Sequence, residues 1–212
     1  MVPARAVQLT LLGVGAMNSP RYRPAGLLVA WHGRRIMLDG GGASTPPGPL
    51  DDWLVSDERA ELMADIRRQG RLLGVRPRVG NWRGDGLDVE PLPVVHTSHP
   101  TYGYLLAIPG RTIVWAPEFF EFPTWAAGAD LMFADGAAWQ APIRFAGGVG
   151  GHASTPQTSE VARASGVKRL VFAHIGRPAI RARDKGAWLP YGEWGSDGRV
   201  YRVTTPRAAM EG

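Results

Sequence analysis

Acidic and imidazole side chains stand at the ends of five apolar segments of this sequence. These residues are Asp39 after Ile-Met-Leu, His96 after Pro-Val-Val, Glu118 after Ile-Val-Trp-Ala-Pro, Asp135 after Leu-Met-Phe-Ala and His174 after Leu-Val-Phe-Ala. In layered α/β proteins the ends of strands open onto the crevice that binds ligands. Carboxylates and imidazoles gathered there can hold a divalent metal ion or exchange protons with a substrate. We therefore expect these five residues to converge on one site.

Composition limits the chemistry and suggests a class of partner. The 212-residue chain contains no cysteine, which excludes disulfides, thiol catalysis and thiolate metal sites. Its formal net charge is +5, and arginine supplies nearly all of the positive charge because Lys168 and Lys185 are the only lysines. This balance favours anionic partners such as nucleic acid or phosphorylated metabolites, although a general preference for arginine explains it equally well. A basic run, for which a solvated face is the default, comprises Arg67, Arg68, Arg71, Arg76, Arg78 and Arg83.

Apolar patterning predicts an α/β protein in which strands come first and helix–strand units follow. No linker divides the sequence and no apolar run reaches the ~20 residues of a membrane span, so we expect one domain over residues 1–212 and no membrane partner. The start of the chain could be a short signal peptide, but the alternation at Gln8 and Thr10 favours a first strand and a cytoplasmic protein. The expected strands are 6–14, 26–41 with a turn at 32–35, 89–99, 102–110, 111–117, 129–135 and 167–175.

Two helices and a final hairpin complete the expected elements. A helix is predicted over residues 56–74, with Ser56 as its N-cap, and a second over 155–166. The last pattern, 193–203, predicts a hairpin that turns at Asp197-Gly198.

Several of these segments, taken in order, resemble one family. Leu-Gly-Val-Gly, Met-Leu-Asp-Gly-Gly, His-x-x-His-Pro-Thr-Tyr-Gly-Tyr, Gly-Gly-His-Ala-Ser and Val-Lys-Arg-Leu-Val-Phe-Ala-His-Ile together resemble the metallo-β-lactamase superfamily. The resemblance covers roughly residues 7–183 and is closest to the branch containing tRNase Z and related phosphodiesterases. It implies a four-layer αββα sandwich with metal ligands on loops along one edge of the paired sheets.

The sequence departs from this family at its signature, His-x-His-x-Asp-His. Asp57, Arg59, Glu61 and Leu62 occupy the four positions. Arginine stays protonated and leucine has no donor atom, so neither can ligate a metal. Asp57 and Glu61 could each offer an oxygen, or they could be acids that complement a helix dipole. A full dinuclear zinc centre is therefore not expected.

The other metal positions of the family have counterparts here. The resemblance implies a site for one divalent ion, Zn²⁺ or Mn²⁺, held by His99, Glu118 and His174, with Asp57 or Glu61 completing the shell. His96 is the alternative to His99 and is otherwise expected beside it. In a further alternative, Arg59 replaces the charge of a lost metal and grips a phosphate.

The resemblance also implies residues that act on the substrate. His152 is implied as a catalytic or phosphate-contacting histidine, grouped with Asp135, and Asp39 is implied as a structural residue near the site. The alternative for His152 is a flexible connection capped by Ser154. The residues expected to bind phosphate are Arg21, Arg23, Arg59 and Arg177.

These expectations lead to two hypotheses of different classes. The first is a metal-dependent hydrolase of a phosphodiester in a nucleotide, nucleic acid or small molecule. The second, which follows from the missing signature, is a catalytically silent member that binds an anionic ligand or nucleic acid. A homodimer is expected by analogy alone. An open β-sandwich accounts less well for the helix–strand units.

Overall fold

Two β-sheets form the framework of the protein. The computed structural model describes residues 6–17 and 19–206. One sheet has the strand order β14-β1-β2-β3-β4, antiparallel except between β3 and β4. Its strands are β1 (Ala6–Gly13), β2 (Gly26–Trp31), β3 (Arg34–Asp39), β4 (Asp52–Leu54) and β14 (Val200–Thr204).

The second sheet is larger and mixed, with the order β13-β12-β9-β8-β7-β6-β5. Pairing is antiparallel from β5 to β8 and parallel from β8 through β9 and β12 to β13. Its strands are β5 (Trp82–Gly84), β6 (Leu87–Val94), β7 (Thr101–Ile108), β8 (Arg111–Ala116), β9 (Leu131–Asp135), β12 (Leu170–Ala173) and β13 (Glu193–Trp194). A separate two-stranded ribbon joins β10 (Ile143–Arg144) to β11 (Gly151–His152).

Three helices cover these sheets: α1 (Met63–Leu72), α2 (Thr155–Ala164) and α3 (Arg177–Asp184). Met63 and Ile66 of α1 pack on the outer face of the smaller sheet, where Trp53 is fully buried. Ala162 of α2 packs beside Phe172 on the outer face of the larger sheet. The resulting order, helix, sheet, sheet, helix, confirms the αββα sandwich.

The central core lies between the two sheets. Alternate residues of β1 face inward, so Leu9 and Leu11 pack toward Trp115 and Phe133 of the larger sheet. Each large apolar side chain buried there contributes roughly 1.5–3 kcal/mol. This packing fixes the distance between the sheet edges that carry the polar residues.

Two predicted elements differ from the structure. The helix expected over residues 56–74 begins at Met63, because the backbone N–H and hydroxyl of Ser56 both donate to Asp39 Oδ1 instead of capping a helix. The expected hairpin at 193–203 does not form. Its first half, β13, pairs with β12 in one sheet, while β14 pairs with β1 in the other. Asp197 stabilises this crossing by accepting the N–H of Val14 at 2.9 Å.

A membrane-spanning helix is not found among residues 6–17 and 19–206, where every helix is too short or too polar to cross a bilayer.

Candidate active site

Strand register brings three of the predicted residues to one edge of the larger sheet. Asp135 ends β9 opposite Ala173, the last residue of β12, and His174 follows directly. Glu118 follows β8, which runs parallel to β9. His174 adopts a left-handed backbone, with φ of 51°. Such a conformation is uncommon for a residue with a side chain and is often found at functional sites.

Glu118 lies between two imidazoles. His174 Nε2 is 3.1 Å from Glu118 Oε1, and His96 Nε2 is 3.5 Å from Oε2. His96 Nδ1 donates to the carbonyl oxygen of Gly151 at 2.8 Å, which leaves Nε2 of the neutral ring as an acceptor. Burial lowers the pKa of His174 below its ordinary value, although Glu118 acts in the opposite direction. The structure thus places His96, rather than the preferred His99, beside Glu118.

Asp135 and His152 form a second imidazole–carboxylate pair. His152 Nδ1 donates to Asp135 Oδ2 at 2.8 Å, and the N–H groups of Phe119 and Ala137 donate to the same fully buried carboxylate. Burial alone would lower the pKa of His152, but the Asp135 charge raises it above the ordinary value. Burial likewise opposes ionisation of Asp135, whose pKa nevertheless lies below its ordinary value because of His152. The ring of His152 stacks on that of His174, with centroids 5.3 Å apart.

Asp57 and His99 form a third pair, apart from Glu118. His99 Nε2 lies 2.9 and 3.0 Å from the two carboxylate oxygens of Asp57. Asp57 also accepts the backbone N–H of Arg59 at 2.7 Å. Asp57 and Glu61 both precede α1, although the helix expected over residues 56–74 included them, so neither lies on a helical face. Glu61 is exposed at the rim of the cavity.

Asp39 joins the two sheets beneath this site. It ends β3 with a left-handed φ of 52°, and its carboxylate accepts Ser56 through Oδ1 and Trp115 Nε1 through Oδ2. Burial is the main cause that raises its pKa to about 6. Both carboxylate oxygens of Asp39 are thus engaged by the framework, while the residue also lines the cavity.

The arginines expected at a phosphate divide into two groups. Arg59 lines the site. Arg21 forms a two-point ion pair with Asp184, and Arg23 contacts Asp197, so both are engaged with the protein itself. Arg177 begins α3, outside the lining of the cavity.

A cavity of about 400 Å³ connects these groups. Its lining combines the imidazoles and carboxylates with apolar side chains, among them Met17, Leu62 and Ile66. The sequence patterns did not identify Phe145 as a residue of the site. Its ring lies edge-on to those of His96 and His152. It precedes the glycine-rich segment without belonging to any recognisable motif.

The glycine-rich segment 147–151 places His152 in the site. Gly150 and Gly151 have φ of 144° and 143°. A Cβ on Gly150 would lie 2.0 Å from the His96 carbonyl oxygen, and one on Gly151 would lie 1.8 Å from that of Ile143. Only glycine permits this close approach between backbones, so the segment has a defined conformation and is not the flexible connection considered as the alternative.

The chain belongs to the β-lactamase superfamily, because the model of the β-lactamase superfamily domain matches residues 49–175. The resemblance drawn from the sequence is thereby confirmed. No curated protein matches the chain.

Solved structures share the fold at low sequence identity. The metallo-β-lactamase fold protein YhfI from Bacillus subtilis is 14% identical with a TM-score of 0.74, and the match covers 94% of this chain and 100% of that one. A diphosphatase from the PhnP family is 16% identical with a TM-score of 0.69, over 96% and 99% of the two chains. Human tRNase Z, short form, is 15% identical with a TM-score of 0.60, over 94% and 99%.

The donor atoms around Glu118 fit a divalent metal ion in their chemistry. His96, Glu118 and His174 supply two imidazoles and a carboxylate, a donor set that suits Zn²⁺ or Mn²⁺. Within residues 6–17 and 19–206, no three His, Asp or Glu side chains already stand at coordination spacing. Binding therefore requires the side chains around Glu118 to close on the ion.

Proposed function

We propose that the chain is a hydrolase that acts on a phosphodiester and uses one divalent ion held by His96, Glu118 and His174. The observation that carries this proposal is the position of Glu118, within 3.1 and 3.5 Å of two imidazole nitrogens at the edge of the cavity. A divalent ion bound there would stabilise charge on a phosphoryl oxygen and lower the pKa of a water molecule.

His152 would supply a proton to the leaving group. Asp135 occupies Nδ1 of the ring, so Nε2 is the nitrogen left to face a substrate. The Asp135 charge raises the pKa of His152 despite its burial, which favours the protonated ring that a general acid needs. A positioned acid of this kind contributes about 10²–10⁴-fold to a rate.

Arg59 and the apolar side chains of the cavity lining would position the substrate. Arg59 lines the cavity and can contact a phosphate oxygen with its guanidinium. Two structures of the same fold, a diphosphatase and a tRNase by name, support a phosphate ester as the substrate.

Turnover of bis(4-nitrophenyl) phosphate by purified variants tests the proposal. We expect His174→Ala and Glu118→Gln to lose at least about 100-fold, and His152→Asn to lose about 10²–10⁴-fold. His32→Asn is the matched control, because His32 is exposed in the β2–β3 turn and has a left-handed backbone that asparagine tolerates. Melting temperatures confirm that each variant is folded. Equal turnover in His174→Ala and the wild type would contradict the proposal.

The second candidate function is binding of an anionic ligand without catalysis. The Asp57–His99 pair favours it, because Asp57, at the first position of the family signature, is already held by His99. This candidate predicts no His174-dependent turnover, a melting temperature indifferent to chelator and salt-sensitive binding of an anion.

A further inference from the structure

A second cavity, of about 750 Å³, lies beside α1. We call it the basic groove, and its lining consists of Glu58, Arg67, Arg71, Val75, Arg76, Pro77, Arg78 and Val79. Helix α1 contributes two of the four arginines, and the segment after the helix contributes the other two. Most arginines of this basic run are exposed, as expected for a solvated face, and four of them line one concave volume.

Two of these arginines have no side-chain partner among the residues that the structure describes. Arg71 and Arg76 are exposed, and neither guanidinium forms a hydrogen bond or ion pair with another described residue. Arg67 donates to the carbonyl oxygen of Glu58, which leaves its charge uncompensated by that contact. Arg78, in contrast, is paired with Asp52 at 2.6 Å.

The carboxylate of the groove does not neutralise this excess. Glu58 Oε1 accepts the backbone N–H of Val79 at 3.1 Å and forms no ion pair with a described residue. The groove therefore carries a net positive charge that is open to an anionic ligand.

Apolar surface alternates with charge in the lining. Val75, Pro77 and Val79 alternate with Arg76 and Arg78 along the segment after α1. Guanidiniums bind phosphate oxygens, and the half-buried side chains of Val75 and Val79 add apolar contact area beside them. This combination matches nucleotides better than a bare phosphate chain.

The groove adjoins the cavity of the candidate active site, which we call the active cavity. Glu58 lines the groove, while its neighbours Asp57 and Arg59 line the active cavity. We propose that the basic groove binds the phosphates of a single-stranded nucleic acid whose chain continues toward the active cavity. The binding itself is independent of hydrolysis, whereas cleavage of the bound strand rests on the proposed function.

Fluorescence anisotropy with a fluorescein-labelled 12-nucleotide RNA tests this proposal over a range of salt concentrations. Measurements in the His174→Ala background keep the strand intact. Adding Arg71→Gln and Arg76→Gln should reduce the salt slope by about 1.4, since each phosphate contact on a single strand contributes about 0.7. The corresponding loss of affinity is about 20-fold at 0.1 M salt.

The matched control removes the same charge elsewhere. Arg163→Gln with Arg181→Gln changes exposed positions on α2 and α3 and should alter affinity by less than about twofold. Equal weakening by both double variants would overturn the assignment of the binding site to the groove, because net charge alone would then explain binding. If tripolyphosphate displaced the labelled RNA as well as unlabelled RNA does at the same phosphate concentration, the assignment to a nucleic-acid strand would be overturned. Groove-dependent RNA binding by a protein without phosphodiesterase turnover would contradict only the hydrolase proposal.

Discussion

At the scale of single residues, the site consists of carboxylates that each face an imidazole. Glu118 faces His174, Asp57 faces His99, and Asp135 faces His152. A buried carboxylate such as Asp135 would be costly without hydrogen-bond partners, and His152 supplies one of them. The pairs therefore let several ionisable groups share one cavity without unfolding the sheet edge.

Asp39 gives the residue scale a pH-dependent prediction. Its folded-state pKa of about 6 exceeds the ordinary 3.8, so the folded protein holds more protons than the unfolded one between these values. The stability that protonated Asp39 contributes is full below pH 3.8 and is lost as pH rises through 6. The unfolding free energy of the wild type minus that of Asp39→Asn should therefore fall by about 1–3 kcal/mol from pH 4 to 7.

Urea titrations at each pH measure this difference. Asp88→Asn is the control, because Asp88 forms an exposed ion pair with Arg83, and its difference from the wild type should stay flat within about 0.5 kcal/mol. A pH-independent difference for Asp39→Asn would show that burial does not raise the pKa of the Asp39 carboxyl.

At the scale of elements, local patterns predicted the strands better than the contacts between them. Alternation in β1 and the helix–strand unit of α2 and β12 were recognisable from sequence because each follows a local period. The start of α1 was not, because Ser56 bonds to Asp39, a partner 17 residues away. Helix α3 was missed because three arginines, a proline and an aspartate obscure its short apolar face.

The same distinction applies to the candidate site. Its residue types were predictable from the polar positions after strands. The choice between His96 and His99 was not, since both lie in one loop and only the Gly151 carbonyl contact turns His96 toward Glu118. The engagement of Arg21 with Asp184, 163 residues away, likewise left no local signal.

The glycine-rich segment before β11 provides a prediction at this scale. Gly151→Ala should destabilise the protein by at least about 1–3 kcal/mol, because its backbone conformation is essentially restricted to glycine. It should also displace His152 and lower turnover. Gly148→Asn is the control: a Cβ there meets open space and φ is 69°, which asparagine tolerates.

Urea denaturation and phosphodiester turnover of both variants check this prediction. A Gly151→Ala protein as stable and active as Gly148→Asn would contradict the positioning role of the segment.

At the scale of the whole molecule, the site depends on the two sheets being held together. The Asp39 carboxylate reaches Trp115 in the opposite sheet, and Asp197 fixes the crossing from β13 to β14. The imidazole and carboxylate donors lie where this framework brings the strand ends together. The basic groove lies beside α1, and its residue Glu58 stands between Asp57 and Arg59 of the cavity lining.

Metal content per chain tests the hydrolase account most directly, measured by inductively coupled plasma mass spectrometry after equilibration with Zn²⁺ or Mn²⁺ and gel filtration. The account predicts one ion per chain in the wild type, unchanged in His32→Asn and lost in Glu118→Gln. A wild-type protein that retains no ion, or a Glu118→Gln protein that retains as much as the wild type, would contradict it.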